Sequence, residues 1–435
     1  PLRRVEVDIL VDDHGTVWNL GGRDVSVRRS HHSLVAEAPC AAISDELATA
    51  ICTAASELAR DVGYRGAGMV TFVHDRSDFA VTAVDCVAPP DHATSEERSG
   101  ASFIGWRLRV HRGEALPAQE PAADGVAMEV RLLAEDPDDG FAITPGQVAL
   151  LSFPVGTGVR VDANRRVGDP VDATDSLLAV ITAWGPDRSV ALTRIRRALE
   201  RTAVVIDGGT TNLSFLLALL DNEQFQRNEV DHRWLDGVID DRPPPEPDPI
   251  VLLAAAVEAY EADRRRIQDA FYASAERGRP QQPDEVGTGI ELGYLGESYR
   301  LDVDCIASRT YSVRAGRTAA HVTVDHLNEY ERRLTCAGRR HRLVVSPTEF
   351  GFRLQAGHAS HVIQREDGVL IRAGWPALIV SALVQPGDAV AEGQPIVVLE
   401  SMKMETTIAA PFAGVVLDLL VTANSQVERG AALLR

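Results

Sequence analysis

The 435-residue chain has a single lysine: lysine and arginine together number 44, and all but Lys403 are arginine. Cysteine is scarce too. The five cysteines (Cys40, Cys52, Cys86, Cys305, Cys336) are scattered without a CxxC pair, which excludes a zinc cluster and a disulfide framework and reads as reduced thiols of a cytoplasmic protein. Positive charge is outweighed by 63 acidic residues, for a formal net charge of −19. Nucleic acid is therefore not an expected partner, because a phosphate-backbone binder needs a cationic surface. No apolar run approaches the roughly 20 residues that span a bilayer, and no secretory h-region is present, so no membrane partner is expected. The remaining composition is ordinary, with 45% hydrophobic and 25% charged residues, which excludes a largely disordered or fibrous chain. At ~150 residues per domain the length suggests about three domains. The chain opens at Pro1 in what reads as the middle of a strand, and residues upstream are expected to be missing.

The clearest boundary is at 240–249, where five prolines fall within seven residues (243–249) and favour a stiff extended spacer. Before it, residues 1–239 read as one unit of mixed α and β structure, with strands at 5–11, 70–73, 79–84 and 126–133 and helices at 45–62 and 187–202. After it, 250–277 lacks glycine and proline and carries Leu253, Val257, Tyr260, Ile267 and Phe271 at helical spacing, ahead of Gly278 and Pro280. Residues 289–363 switch to period-two alternation, which predicts a small antiparallel barrel or sheet turning near Gly316, Gly338 and Gly357. Helix and barrel together, residues 250–370, suit a linking or docking domain. Arg264-Arg265-Arg266 reads as a solvated helix face.

The last segment, 371–435, contains an internal repeat. Ala377-Leu378-Ile379-Val380 and Val390-Ala391-Glu392-Gly393 are echoed by Ala413-Gly414-Val415-Val416 and Val427-Glu428-Arg429-Gly430. Two strand–turn–strand copies, neither able to close a core alone, predict a flattened pseudo-twofold β-sandwich. Lys403 lies between the copies, with apolar strand residues before it and β-prone ones after, so a hairpin with the lysine at or near its tip is expected. A hairpin tip is also an ordinary place for a solvated lysine. An ammonium on a flexible stem becomes acylable once deprotonated, and a rigid hairpin presents it at one point.

Glu400-Ser401-Met402-Lys403-Met404 resembles the biotinylation motif of biotin carboxyl carrier domains, in which the lysine between two methionines receives biotin in amide linkage. Ala410-Pro411-Phe412-Ala413-Gly414 and the twofold repeat fit the same family. Lipoyl domains share that fold but lack the paired methionines, so biotin is favoured over lipoate. The resemblance implies biotin as covalent cofactor on Lys403, with Glu400, Ser401, Met402 and Met404 as its flanking motif, and a biotin protein ligase as partner.

Residues 1–239 resemble the C-terminal lobe of biotin carboxylase, an ATP-grasp enzyme. The matching stretches are Gly22-Arg23-Asp24, Gly63-Tyr64-Arg65-Gly66-Ala67-Gly68, Arg131-Leu132-Leu133-Ala134-Glu135-Asp136-Pro137, Gly158-Val159-Arg160-Val161-Asp162 and Gly208-Gly209-Thr210-Thr211-Asn212. At the family's Mg²⁺ positions, two acids and an asparagine, this chain has Thr71, Ala83 and Asp85. Val87 replaces the bicarbonate-binding arginine, Asp91 the general-base glutamate, and Ser33 a lysine. Arg160, at the position of the arginine that steadies the biotin enolate, is kept, and His31 falls in the nucleotide-site run. No separate metal site is expected. His31, His32 and His92 otherwise read as hydrogen-bonded or solvated histidines. The family's N-terminal ATP-binding portion is expected to precede Pro1.

The order of parts resembles biotin-dependent acyl-CoA carboxylases of the actinobacterial single-chain type. That implies an α+β multidomain chain: carboxylase lobe, helix plus barrel, and carrier. It also implies ATP, Mg²⁺ and bicarbonate as requirements of the intact enzyme, a carboxyltransferase outside this chain that passes the carboxyl group to an acyl-CoA, and a homo-oligomer. The alternative is a non-catalytic biotin carrier and scaffold with a degenerate lobe. In both, this chain alone is expected not to hydrolyse ATP.

Overall fold

The computed structural model describes the whole chain except residues 1, 30–31, 76–77, 86–91, 242–245, 277–288, 349, 366–370, 402–403, 428–430 and 435, and the side chains of residues 85, 270, 273, 274, 276 and 372. The sequence-predicted positions His31, Val87, Asp91, Met402 and Lys403 fall outside the described residues.

The lobe is organised around one antiparallel sheet of eight strands. Six of them are β1 (Arg3–Val11), β2 (Val17–Arg29), β3 (His32–Ala38), β4 (Gly66–His74), β5 (Phe79–Asp85) and β6 (Val126–Leu133). Strands Val159–Ala163 and Leu177–Gly185 complete it beyond β6. Alternation decides what each face carries. Val5, Val7 and Ile9 of β1 are buried against Ile51, Ala55 and Ala59 of α1 (Asp45–Asp61), in one core with Val70 and Phe72 of β4. Glu6 and Asp8, the alternate residues, belong to the opposite face: Asp8 meets Ser95 of α2 (Ala93–Ser99). α3 (Phe103–His111) follows directly, with Ser102 capping its start by accepting from Gly105 N. Around Glu6 and Asp8 this second face is charged, while Leu10 further along the strand joins Trp18 and Phe103 in an apolar cluster.

The spacer ends earlier than expected. Pro249 is the first residue of the helix Pro249–Glu276, a position where proline's missing N–H costs nothing and its fixed φ suits the helix. The early turns of that helix (Val251, Ala255, Val257, Ala259) are buried with the inward side chains of a closed eight-stranded barrel running from Gly289–Tyr294 to Ala359–Arg365. Alanines let helix and strands approach closely, and a buried bidentate pair, Arg332 to Glu258 at 2.5 and 3.1 Å, pins the helix in register. Gly316, Gly338 and Gly357 take φ of 57°, 76° and 55° at the barrel turns, where the sequence puts them. Barrel and lobe are joined: Val344 packs on Ala203 and Val205, and Arg342 Nη1 donates to Glu200 O at 2.8 Å.

In the carrier, the repeat appears as paired backbone contacts. Ile379 exchanges hydrogen bonds with Asn424 and Ser425 (2.7 and 2.9 Å), and Val416 does the same with Gly387 and Asp388 (2.7 and 2.9 Å). Each residue in one contact lies 37 positions from its counterpart in the other, so the structure matches Ile379 with Val416, one residue beyond the Val415 that the sequence repeat aligns with it. Gly387 and Asn424, equivalent turn positions, both take positive φ (96° and 66°), a conformation glycine and asparagine tolerate. Between the halves lies a shared core of Ile379, Ile396, Val397, Leu399, Val416 and Leu433. No helix among the described residues is long and apolar enough to cross a membrane.

Candidate functional site

Two places carry the residues singled out by sequence. The first is the carrier hairpin. Strand Pro395–Ser401 is fixed by burial of Ile396, Val397 and Leu399, and Met404–Ala409 pairs with it antiparallel. Glu400 stands opposite Glu405 and Ser401 opposite Met404, so the described strands are paired right up to the residues that flank 402 and 403. Met404 is 69% exposed. Ser401 Oγ donates to Pro376 O at 3.2 Å, tying this end to the neighbouring strand. A lysine in this chain is also the one side chain bearing a primary amine, which is what an amide to a carboxylic cofactor requires.

The second is the charged face of the lobe. Register places Thr71 opposite Glu6 on one side and Ala83 on the other. The two positions expected to hold metal-binding acids are therefore neighbours across one strand pair, and they carry a hydroxyl and a methyl. Thr71 is fully buried and its Oγ1 has no hydrogen-bond partner. Mg²⁺ wants several hard oxygen ligands, and no group of three or more His, Cys, Asp or Glu capable of holding a metal occurs among the described residues. These residues do not fit the ion. Ser33 Oγ, at the expected lysine position, is turned to its own backbone, donating to Val35 O at 2.9 Å.

Arg160 is held on this face by acids that the sequence reading did not single out. Its Nη1 donates to Glu96 Oε2 at 2.6 Å and its Nε lies 2.8 Å from Asp162 Oδ2, with Glu97 Oε1 at 4.0 Å. Burial works against the guanidinium's charge, but hydrogen bonds to Glu96 and Asp162 hold its proton affinity above the usual arginine range. The Glu97 carboxyl is pushed up by burial, which the nearby Arg160 only partly offsets. Glu96 also works at its other oxygen. Oε1 accepts from Phe103 N at 2.6 Å, so one carboxylate anchors both the start of α3 and Arg160. His92 is buried, its Nδ1 3.2 Å from Asp8 Oδ2. Burial would raise the Asp8 carboxyl, but the charges of Arg23 and His92 and a hydrogen bond from Ser95 hold it below the usual carboxylate range. The larger cavities, each about 630 Å³, lie beside Trp234 and at the lobe–barrel seam and contain none of these residues.

Comparison with known proteins agrees with this division. Residues 1–119 match the carbamoyl-phosphate synthase L chain ATP-binding domain, residues 129–237 the biotin carboxylase C-terminal domain, and residues 366–435 the domain described as biotin-requiring enzyme. Part of the ATP-binding domain is thus matched within 1–239, ahead of the carboxylase C-terminal domain. The mitochondrial methylcrotonoyl-CoA carboxylase subunit alpha of Arabidopsis thaliana is 28% identical over 492 aligned residues, covering 100% of this chain and 67% of the relative. Its Dictyostelium discoideum counterpart is 28% identical, with 98% of this chain and 65% of the relative covered. The biotin carboxylase of Nostoc sp. is 33% identical over 232 residues, 52% of each chain. The crystal structure of the Hydrogenobacter thermophilus 2-oxoglutarate carboxylase biotin carboxylase domain dimer, in complex with MgADP, ADP and bicarbonate, superposes with a TM-score of 0.53 at 27% identity, over 56% of this chain and 55% of that one. The chain therefore spans about two thirds of the methylcrotonoyl-CoA carboxylase subunits and about half of the single-domain carboxylases it matches. In its ordered series of ATP-binding, carboxylase and biotinyl domains the chain belongs with the biotin-dependent carboxylases.

Proposed function

We propose that this chain is the carboxylase and carrier portion of a biotin-dependent acyl-CoA carboxylase, with biotin attached to Lys403. Bicarbonate, activated by ATP with release of ADP and phosphate, supplies the carboxyl group, and a carboxyltransferase outside this chain delivers it to an acyl-CoA. Biotin, when attached, carries that group between sites; the chain's own contribution is the pair of strands that flank residues 402 and 403. A biotin protein ligase, a carboxyltransferase and further copies of the chain are the partners, in the cytoplasm. The observation that carries the proposal is the hairpin: strands paired up to Ser401 and Met404 on either side of Met402 and Lys403. Incubating the chain with a biotin ligase, ATP and biotin tests it. A streptavidin signal that vanishes in Lys403→Arg is the expected result; a signal that persists refutes the assignment.

One observation favours a second reading for this chain taken alone, a carrier and scaffold whose lobe performs no ATP chemistry. Thr71 lies across from Ala83 where metal-binding acids are required. Another chain of the assembly would then carboxylate the biotin borne by Lys403.

A further inference from the structure

Barrel and carrier meet along one edge. Phe350, between barrel strands Arg339–Thr348 and Gly351–Ala356, meets Phe412 of the carrier edge-on, with ring centroids 5.8 Å apart at 83°. A groove of about 540 Å³ flanks the pair, with Glu291 and Arg365 on the barrel side and Val415 and Leu417 on the carrier side. Val415 and Leu417 remain 58% and 56% exposed, so the seam is only partly closed. An aromatic pair with a thin apolar margin makes a directional but releasable contact.

Where the contact falls on the carrier matters. The biotinyl hairpin closes at Ser401 and Met404 and opens at Pro395 and Ala409, and Ala410 to Phe412 follow directly from the open end. Five residue steps at ~3.3 Å place that end about 16 Å from the closing pair. The barrel therefore touches the carrier at the end away from Lys403.

We infer that the barrel edge around Phe350 is a resting dock for this chain's own carrier, gripping it by the end remote from the hairpin so that partner enzymes reach Lys403 while the carrier is docked. The dock rests on geometry alone; its second half rests also on the reading of Lys403 as the biotin site.

Paired cysteines in the full chain test it. Phe350→Cys with Phe412→Cys, and Phe350→Cys with Val415→Cys, which keeps the Phe412 ring, are oxidised and the cross-linked peptides identified by mass. The expected yield for at least one pair is tenfold or more above a control of Phe350→Cys with Met404→Cys, at the far end. Yields no higher than the control overturn the dock. The cross-linked chain is then given biotin ligase, ATP and biotin. Labelling equal to that of the uncross-linked chain is expected. A loss of tenfold or more that reductant reverses overturns the free hairpin. If the uncross-linked chain takes no label, the Lys403 reading and the second half of the inference fall together, while the cross-link yields still decide the dock.

Discussion

Two strand pairs of this chain stand where chemistry is expected. In the lobe, β4 and β5 bring Thr71 opposite Ala83; in the carrier, Pro395–Ser401 and Met404–Ala409 bring Ser401 opposite Met404. Both are antiparallel pairs, the lobe's with a register shift just after Thr71, and both back onto packed cores, Val70 and Phe72 in one and Val397 and Leu399 in the other. They differ in the side chains they carry: the lobe has exchanged the expected acids for a hydroxyl and a methyl, while the carrier keeps its motif entire. A strand pair is maintained by its buried alternate residues, so its other face is free to change without loss of the fold. Survival of the scaffold is therefore no measure of survival of the chemistry.

The comparison is open to direct attack. Lys403→Arg should remove biotin labelling completely, because a guanidinium does not form the amide, and leave the thermal unfolding of lobe and barrel unmoved. Loss of a buried partner in the lobe is the next largest effect. Asp8→Ala, which takes the buried carboxylate away from His92 and Ser95, should destabilise the lobe by about 3–5 kcal/mol in urea unfolding at neutral pH. Since the native Asp8 carboxyl lies below the usual range, its contribution is full above that range and disappears as the pH falls through it towards the native value. Wild-type and Asp8→Ala stabilities should accordingly converge in acid, and a constant gap down to the lowest pH would show that Asp8 does not act through its charge.

Leu399→Ala, at a fully buried carrier position, should cost about 2–5 kcal/mol. Its effect should stay within the carrier, lowering one calorimetric transition and the biotin label while the lobe's transition holds. Glu96→Gln should have the smallest effect, about 1 kcal/mol, since Arg160 is 30% exposed and solvent screens much of that pair. A loss several times larger would mean that Glu96 stabilises the lobe chiefly through its hold on α3.

Much of this was legible in the sequence, for physical reasons. The repeat around Ile379 and Val416 was readable because each half needs the same turn chemistry, and Gly387 and Asn424 supply it. The barrel was readable from alternation and from glycines at Gly316, Gly338 and Gly357. The start of the long helix was misplaced by one residue because Pro249 closes a proline run as well as opening a helix. The acids holding Arg160 were not legible: Glu96 and Glu97 are 64 and 63 positions away in sequence, and only the fold brings α2 over strand Val159–Ala163. Nor was the contact of Phe350 with Phe412, which joins two separately folded cores.

On this reading the carrier is competent and the lobe, in this chain alone, is not. Bicarbonate-dependent, biotin-stimulated ATP hydrolysis by the purified, biotinylated chain with Mg²⁺ measures that division most directly. The expected result is no turnover above a no-enzyme background, in the same sample whose Lys403 is fully labelled. Hydrolysis that rises with free biotin and requires bicarbonate would contradict it and return the ATP chemistry to this lobe.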